Sequence, residues 1–575
     1  MLETHAVDLG APNGETQSQE AALPPHESLV SALEAAAREG TLSITLHLGQ
    51  EPVRLSGRDV LEGALRRAAL LRSRGVARGD RVVLLTPTSP VFIETFLGAN
   101  LIGAIPVPLA SPMTFGTLGR YLQNLRAILQ SSGARVIMTS PRMREAIAED
   151  EQVREQLDHV LCEEDTANGA AVDLRPVSVS ASDTAFIQYT SGTTGQPKGA
   201  VISHRALVSN TYAIMRGVGI TNADVVVSWL PMFHDMGLIG VLLTSICHPL
   251  DVHLLRPESC LMKTGRWVEL IAQKRGTLAA APNFAYDLCV NRPPKTTDGL
   301  NLASWRVALN GSEAVHPSTV KRFCDRFAKE GFRPQSMMPV YGMAETTLAI
   351  TFPDQDNTYE TLRVDRAALE QRGQAEACAA ADAYEAVSVG RPVAGMSVRV
   401  TSPSGQVVAE RTVGEVRVAG PSLMDGYFHN EEATLEALTD GWLRTGDLGF
   451  VQDGRLYIVG RAKEVIIKGG RNFYPNDIEQ IASEIAGVSR GGVAAFARPN
   501  AETGTDDLVV VAETREKDPA SRDRMVKEIR GELLAAIGVK ADEIRVVGIG
   551  ALPRTTSGKI RRKECARKIA QGEFT

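Results

Sequence analysis

The chain is poor in cysteine. Seven are scattered at 162, 247, 260, 289, 324, 378 and 565, an odd count with no CxxC pair. That spacing suits neither a zinc cluster nor a disulfide framework, and it fits a reducing compartment. A basic excess is also missing: 62 Lys and Arg stand against 68 Asp and Glu, a formal net charge of -6. No global positive field therefore favours nucleic acid or an anionic lipid surface. No run reaches the roughly 18 consecutive apolar residues of a membrane span. The polar start MLETHAVDLGAPNGETQSQE lacks the basic and apolar segments of a secretory signal. The expectation is a soluble, cytoplasmic protein with no nucleic-acid partner and no membrane span.

What is present is an ordinary globular mixture, 43% hydrophobic and 23% charged over 575 residues. Length allows several compact units with a sizeable core. Residues 1–25, rich in Gly, Pro, Gln, Glu and Thr, read as a disordered tail. Helical periodicity begins near Ser28 with LVSALEAAAREG, followed by the strand-like SITLHL and the amphipathic GRDVLEGALRRAALLRSRG. From Arg81, short β-branched runs alternate with helical ones: RVVLLTP, ARVIMTS, TAFIQYT, VVVSWLP, VHLLRP, TLAAAP and RVALNG. Repeated βα units imply parallel sheets covered on both faces, with ligands at the carboxyl ends of the strands. Residues 391–460 turn strand-rich and read as a small antiparallel subdomain. The predicted fold is therefore α/β. A large N-terminal domain, 26–460, holds two parallel-type βαβ sheets and the antiparallel subdomain; a small mobile α/β domain, 461–575, follows.

The densest chemical signal is the loop after TAFIQ: Tyr189, Thr190, Ser191, Gly192, Thr193, Thr194, Gly195, Gln196, Pro197, Lys198, Gly199. Glycines let backbone approach a polyanion, N–H and hydroxyl groups surround phosphate oxygens, and lysine adds positive charge. The loop does not match the Walker A pattern. In YGMAETT, residues 341–347, Glu345 is one carboxylate beside Tyr341 and Gly342. A hard Mg2+ takes one or two such carboxylates together with phosphates and water. Asp447 in TGD can accept hydrogen bonds from both ribose hydroxyls.

These motifs resemble those of the adenylate-forming superfamily of acyl-CoA ligases, acyl-AMP ligases, luciferases and peptide-synthetase adenylation domains. The likeness recurs in order, through WLPMFHDMGLIG at 229–240, NGSE at 310–313, YGMAETT, TGDL at 445–448, 460–470 and SGKIR at 557–561. The resemblance implies ATP and Mg2+ as cofactors. It implies that Thr190, Ser191, Gly192, Thr193, Thr194, Gly195 and Lys198 hold phosphate, and that Glu345 is the metal ligand. Tyr341 would stack on adenine, with Gly311, Ser312, Glu313 and Gly342 lining that pocket; Asp447 and Arg461 would hold ribose. Lys559 would reach from the small domain to the acyl carboxylate and α-phosphate, offsetting the charge of in-line attack. Lys463 matches the hinge about which the small domain rotates. Ala344 stands where the commonest pattern has Thr, which leaves that α-phosphate contact to a neighbouring hydroxyl.

Among the relatives, the fatty acyl-AMP ligases are the nearest likeness. His234 follows Phe233 where amino-acid activators place Asp, and the apolar surroundings of Trp229, His234 and Met236 suit an alkyl chain. YGMAETTLA and GGRNFYPNDIE agree. So does the spacing of 45 residues from Glu345 to Gly390, roughly twice that of many relatives. The surplus within 351–389 resembles an insertion that hinders the domain motion needed for CoA. The implied activity is formation of acyl-AMP from a medium- or long-chain fatty acid, then transfer to the phosphopantetheine thiol of a separate acyl carrier protein, since no carrier motif is found in the chain. An acyl-CoA ligase and a non-catalytic acyl- or nucleotide-binding regulator are the alternatives. Intact Lys198, Glu345, Asp447, Arg461 and Lys559 argue against the latter.

Overall fold

A computed structural model describes residues 15–17, 24–112, 118–165, 175–190, 197–263, 265–355, 358–380, 383–500, 505–555 and 558–574. Its α/β architecture is the one the alternating pattern implies. A seven-stranded sheet runs in the order Met337–Pro339, Val307–Asn310, Leu278–Ala281, Val225–Ser228, Asp251–Leu255, Ser43–His47, Val53–Ser56. All its pairs are parallel except the last, an antiparallel edge made by a hairpin. A second, wholly parallel sheet joins Ile105–Pro108, Arg81–Leu85, Val136–Thr139 and His159–Leu161. Their inner strands are buried on both faces, as continuous apolar runs require, while the edge strand Val53–Ser56 is largely exposed.

Capping sets the helix limits. Ser28 accepts from Ser31 N, Ser31 reciprocates, and Gly40, in the left-handed conformation, ends Leu29–Glu39. Gly57–Ser73 starts from a second capping box between Ser56 and Asp59. Against one face of the larger sheet lies an aromatic core of Trp267, Trp305, Tyr286, Phe323, Phe327 and Phe332. Truncating one such ring to alanine costs about 3–5 kcal/mol, so the face carrying the site is firmly anchored.

Two sequence expectations are corrected. TAFIQYT does not join a parallel sheet. Thr184–Thr190 pairs antiparallel with Lys198–Ser203, because a connection this short can only close a hairpin. Within the expected tail, Glu15–Gln17 forms a strand antiparallel to Ser397–Thr401. An open sheet edge recruits backbone whatever the side chains, so composition could not reveal it. Residues 1–14 and 18–23 lie outside the described residues.

The antiparallel subdomain is a six-stranded sheet. Its core strands are Ser397–Thr401, Gly414–Ala419, Trp442–Gln452 and Arg455–Arg461. A short helical turn, Ala462–Glu464, leads to the hairpin Ile466–Lys468/Arg471–Phe473. The small C-terminal domain packs Pro475–Ser483, Pro519–Ile537 and Arg562–Ala570 about the strands Val488–Asn500, Thr505–Thr514 and Glu543–Gly548. The surplus after Glu345 builds Thr361–Val364, Arg366–Arg372 and Tyr384–Val387, a two-stranded unit with one helix.

Candidate active site

Sheet order places the chemistry-bearing loops side by side. Register aligns Ala281 with Asn310 and Asn310 with Pro339, at the carboxyl ends of neighbouring parallel strands. From those ends run Phe284, the turn Gly311, Ser312, Glu313, and Tyr341; from the next strand runs Trp229. Ligands bind at this edge in open α/β sheets. Two glycines are forced by close approach. A Cβ on Gly342 would sit 2.0 Å from Leu348 O, and one on Gly237 would sit 2.3 Å from Pro231 O. Gly237 thereby lets the segment Met236–Leu243 wind as a π-helix directly after His234 and Asp235. Wide turns of this kind recur at functional sites. Ser312 is held at φ 72°, a left-handed backbone that non-glycine residues adopt at a cost.

Asp447 and Arg461 face each other across an antiparallel pair, with Arg461 Nε 3.2 Å from Asp447 Oδ1. Tyr341 donates its hydroxyl to Asp447 Oδ2 at 2.7 Å. Predicted adenine and ribose residues are thus joined. Asp447 is buried, and its charge pushes the Arg461 guanidinium pKa up. Glu345 is buried 9% exposed on a short 3-10 turn, and Tyr427 donates its hydroxyl to Glu345 Oε1 at 2.8 Å. Burial pushes the Glu345 carboxyl pKa up, against that hydrogen bond.

Thr190 and Lys198 are paired across the hairpin that carries the predicted phosphate loop. Ser191, Gly192, Thr193, Thr194 and Gly195 lie outside the described residues, as does the Thr190 side chain. Lys198 Nζ lies 5.1 Å from the centroid of the Tyr427 ring.

Lys559 arrives from the small domain on a tight turn. Thr555 N donates to Lys559 O at 2.7 Å and Lys559 N to Thr555 Oγ1 at 3.0 Å. Gly558 rests on Phe284, where an added Cβ would find the ring at 3.6 Å. Gln480 Nε2 donates to Ser318 Oγ at 2.9 Å and seats the small domain nearby. The half-buried Lys559 amine lies in the fields of Asp235, Arg461, Glu313 and Asp447. Burial lowers its pKa, and Asp235 is the strongest opposing charge. Asp235 accepts from Met236 N at 2.8 Å and lies 2.6 Å from His234 Nδ1. Burial pushes the Asp235 carboxyl up, but His234, Lys559 and the Met236 amide together hold the group below its usual range. Glu313 accepts from Phe284 N at 2.6 Å, and burial raises its pKa.

Trp229, Leu261, Trp267, Phe284 and Leu288 line an apolar cavity with ≈ 230 Å³ of unfilled space, mouth included. Of the three predicted acyl-pocket residues, Trp229 lines it. His234 instead pairs with Asp235, and Met236 packs into the central core. Lys463 is exposed and lies 3.7 Å from Glu436. Sequence reasoning missed Asp235, Phe284 and Tyr427. Asp235 stands inside the quoted WLPMFHDMGLIG segment, but Tyr427 has no local signal, because only the strand pairing of Gly426–Tyr427 with Lys198–Ser203 brings it in.

The AMP-binding enzyme family matches residues 33–428. The chain belongs to the AMP-binding enzymes. Among relatives of this AMP-binding chain is a long-chain-fatty-acid–AMP ligase, FadD26, of Mycobacterium marinum. It is 36% identical over 537 residues, covering 86% of this chain and 88% of that protein. A Mycobacterium leprae protein, fadD21, carries the name of a fatty-acid–CoA ligase. It is 33% identical, with 88% and 90% covered. A solved chain from a study of fatty acyl-adenylate ligases of E. coli and L. pneumophila superposes with TM-score 0.90 at 33% identity. The match covers 96% of this chain and 99% of that one. AMP-binding enzymes of the adenylate-forming kind use ATP. Among the described residues, no helix is long and apolar enough to cross a membrane.

Proposed function

We propose that the protein adenylates a medium- or long-chain fatty acid with ATP and passes the acyl group to the phosphopantetheine thiol of a separate acyl carrier protein. One observation carries the reading: a lysine from the small domain is seated at the strand-end cleft, between the Tyr341–Asp447–Arg461 cluster and the mouth of an apolar cavity. The named FadD26 relative supports the fatty-acid and acyl-AMP choice.

In this reading Asp447 and Arg461 hold ribose, Tyr341 the adenine, and the loop around Lys198 the phosphates. The fatty acid lies with its chain past Trp229 and Phe284 and its carboxylate at Lys559. A carboxylate oxygen attacks the α-phosphorus, the bond to the β-phosphate oxygen breaks, and pyrophosphate leaves. Lys559 offsets the charge that builds at phosphorus, at a position where little water competes. The carrier thiolate then attacks the acyl carbon and releases AMP.

The oxygen donors present fit Mg2+. Glu345 is a single buried carboxylate, and Mg2+ completes its shell with water and substrate phosphate. When bound, it neutralises charge on the departing pyrophosphate.

Contacts of the insertion support a carrier over free CoA. Arg366 on its helix pairs with Asp477, and Glu370 pairs with Arg471, on the segment that must rotate before a thiol can enter. The fadD21 name favours CoA as the second reading. Mass spectrometry of reactions with Mg-ATP and fatty acids of graded length tests both, run alone, with CoA and with a phosphopantetheinylated carrier. Acyl-AMP throughout with acyl-carrier and no acyl-CoA is expected. Abundant acyl-CoA overturns the carrier assignment, and absence of adenylate with every fatty acid overturns the substrate class.

A further inference from the structure

Tyr427 stands between two groups that the proposed adenylation assigns to different tasks. Its backbone is pinned on both sides. Gly426–Tyr427 pairs antiparallel with Val201 and Ala200, and Phe428 N donates to Gly199 O at 2.8 Å. Tyr427 N donates to Thr434 Oγ1 at 2.9 Å, and Asn430 N donates to Tyr427 O at 3.1 Å. The side chain is therefore aimed by structure on both edges. Its ring face meets the Lys198 ammonium at 5.1 Å, within the distance at which a ring quadrupole attracts a cation. Its hydroxyl donates to Glu345 Oε1 at 2.8 Å. That hydroxyl makes a side-chain hydrogen bond to the buried Glu345 carboxylate, so the tyrosine orients the group.

We propose that Tyr427 is a positioning residue that sets the phosphate-loop lysine and the metal carboxylate in one fixed relation. The ring limits where Lys198 can carry its charge, and the hydroxyl orients the Glu345 carboxylate for a divalent cation. The proposal rests on the adenylation reading. A tyrosine that only filled space would need its ring and not its hydroxyl. A hydrogen bond from outside the coordination shell that orients a ligand commonly changes metal affinity by tenfold or more when lost. The two ends of the side chain should therefore be separable by substitution.

The test measures binding of a fluorescent ATP analogue to the full chain without metal and across a Mn2+ titration, with bound Mn2+ followed by electron paramagnetic resonance. Tyr427→Phe keeps the ring. It is expected to raise the Mn2+ concentration for half-maximal ternary binding roughly tenfold, with metal-free nucleotide binding within about twofold of wild type. Tyr427→Met keeps an apolar side chain but loses both ring and hydroxyl, and is expected to weaken metal-free nucleotide binding several-fold as well. Circular dichroism melts identify a variant that fails to fold, and Tyr427→Phe then carries the test alone. A Tyr427→Phe variant with the wild-type Mn2+ dependence overturns the proposal, as does one that loses metal-free binding to the same degree. Glu345→Gln with unchanged Mn2+ dependence overturns the metal role of Glu345 as well, which distinguishes failure of the underlying reading from failure of the tyrosine's part.

Discussion

The small domain meets the rest of the molecule at two junctions built on opposite principles. At the lysine end, contact is by shape and field. Gly558 lies on Phe284, and among the described residues the Lys559 amine makes no hydrogen bond or ion pair, although Asp235, Glu313 and Asp447 surround it. At the hairpin end, contact is by clamps. Arg471 Nε is 3.2 Å from Glu370 Oε2, a second Arg471 nitrogen reaches the same oxygen and Ile537 O, and Arg366 holds Asp477. Tyr474 is buried beside them among Val364, Leu369 and Val459. On the proposed reading, a lysine that engages substrate and then withdraws is served by attraction without fixed partners. A hairpin that should not swing freely is served by buried, directional pairs. On that reading chemistry belongs to the first junction and restraint to the second.

Removing the lysine should have the largest effect. Lys559→Ala is expected to cut acyl-AMP formation by about 10²–10³-fold, the usual loss of a group that stabilises transition-state charge. Stability should change little, because the amine makes no fixed contact. Single-turnover mass spectrometry reads the first and a thermal melt the second. Full adenylate formation in this variant would remove chemistry from that junction.

The clamp is the next test. Arg471→Met strands the buried Glu370, 3% exposed, beside Arg366 at 3.8 Å. Breaking a buried pair on one side costs about 3–5 kcal/mol, and removing both charges recovers much of it. Arg471→Met with Glu370→Leu should therefore melt closer to wild type than Arg471→Met. In both variants the hairpin is freed, and acyl-CoA should rise at least several-fold in reactions containing free CoA. Stability loss with no new thioester would make the clamp structural only.

The two junctions were unequally legible in sequence. The βα alternation was visible as a repeating pattern, and the phosphate loop, Glu345, Asp447, Arg461 and Lys559 because each lies in a short local motif. The surplus before Gly390 was visible as a spacing. Its partners were not, because Arg366 and Asp477 are 111 positions apart and meet only through packing. Tyr427 and the strand Glu15–Gln17 were hidden for the same reason: sheet pairing between distant segments leaves no periodic trace. His234 and Met236 were placed in the acyl pocket from their neighbours' apolarity. In the fold His234 Nδ1 lies 2.6 Å from Asp235, and Met236, at the start of the π-helix, packs into the core, contacts that apolar neighbours alone do not reveal.

Asp235 sharpens the account of the lysine end. Burial already lowers the Lys559 pKa, so the charged form is lost at lower pH than for a free lysine; Asp235 opposes that loss, with Glu313 and Asp447 on the same side and Arg461 against. Asp235→Asn removes the strongest opposing charge. The basic limb of the adenylation profile should then move to lower pH, by about one unit for each 1.4 kcal/mol of lost interaction, while the rate at lower pH, where the lysine is charged in both proteins, changes less. An unshifted basic limb would show that Asp235 does not govern the lysine.

The smallest effect is expected at Lys463, and it separates hinge from clamp. Its amine lies 3.7 Å from Glu436, with the two side chains 61% and 60% exposed. An exposed pair of this kind contributes about 0–1 kcal/mol, so Lys463→Ala should leave the melting temperature nearly unchanged. Adenylation should also hold, because the variant touches neither the Lys559 turn nor the Asp447–Arg461 pair. If residues 462–464 are the pivot, the cost falls on the second step alone, as slower appearance of acyl-carrier at constant acyl-AMP. Combining it with Arg471→Met then orders the two restraints. A pivot acting after clamp release should keep its deficit in the double variant, whereas a pivot that matters only while the hairpin is clamped should lose it.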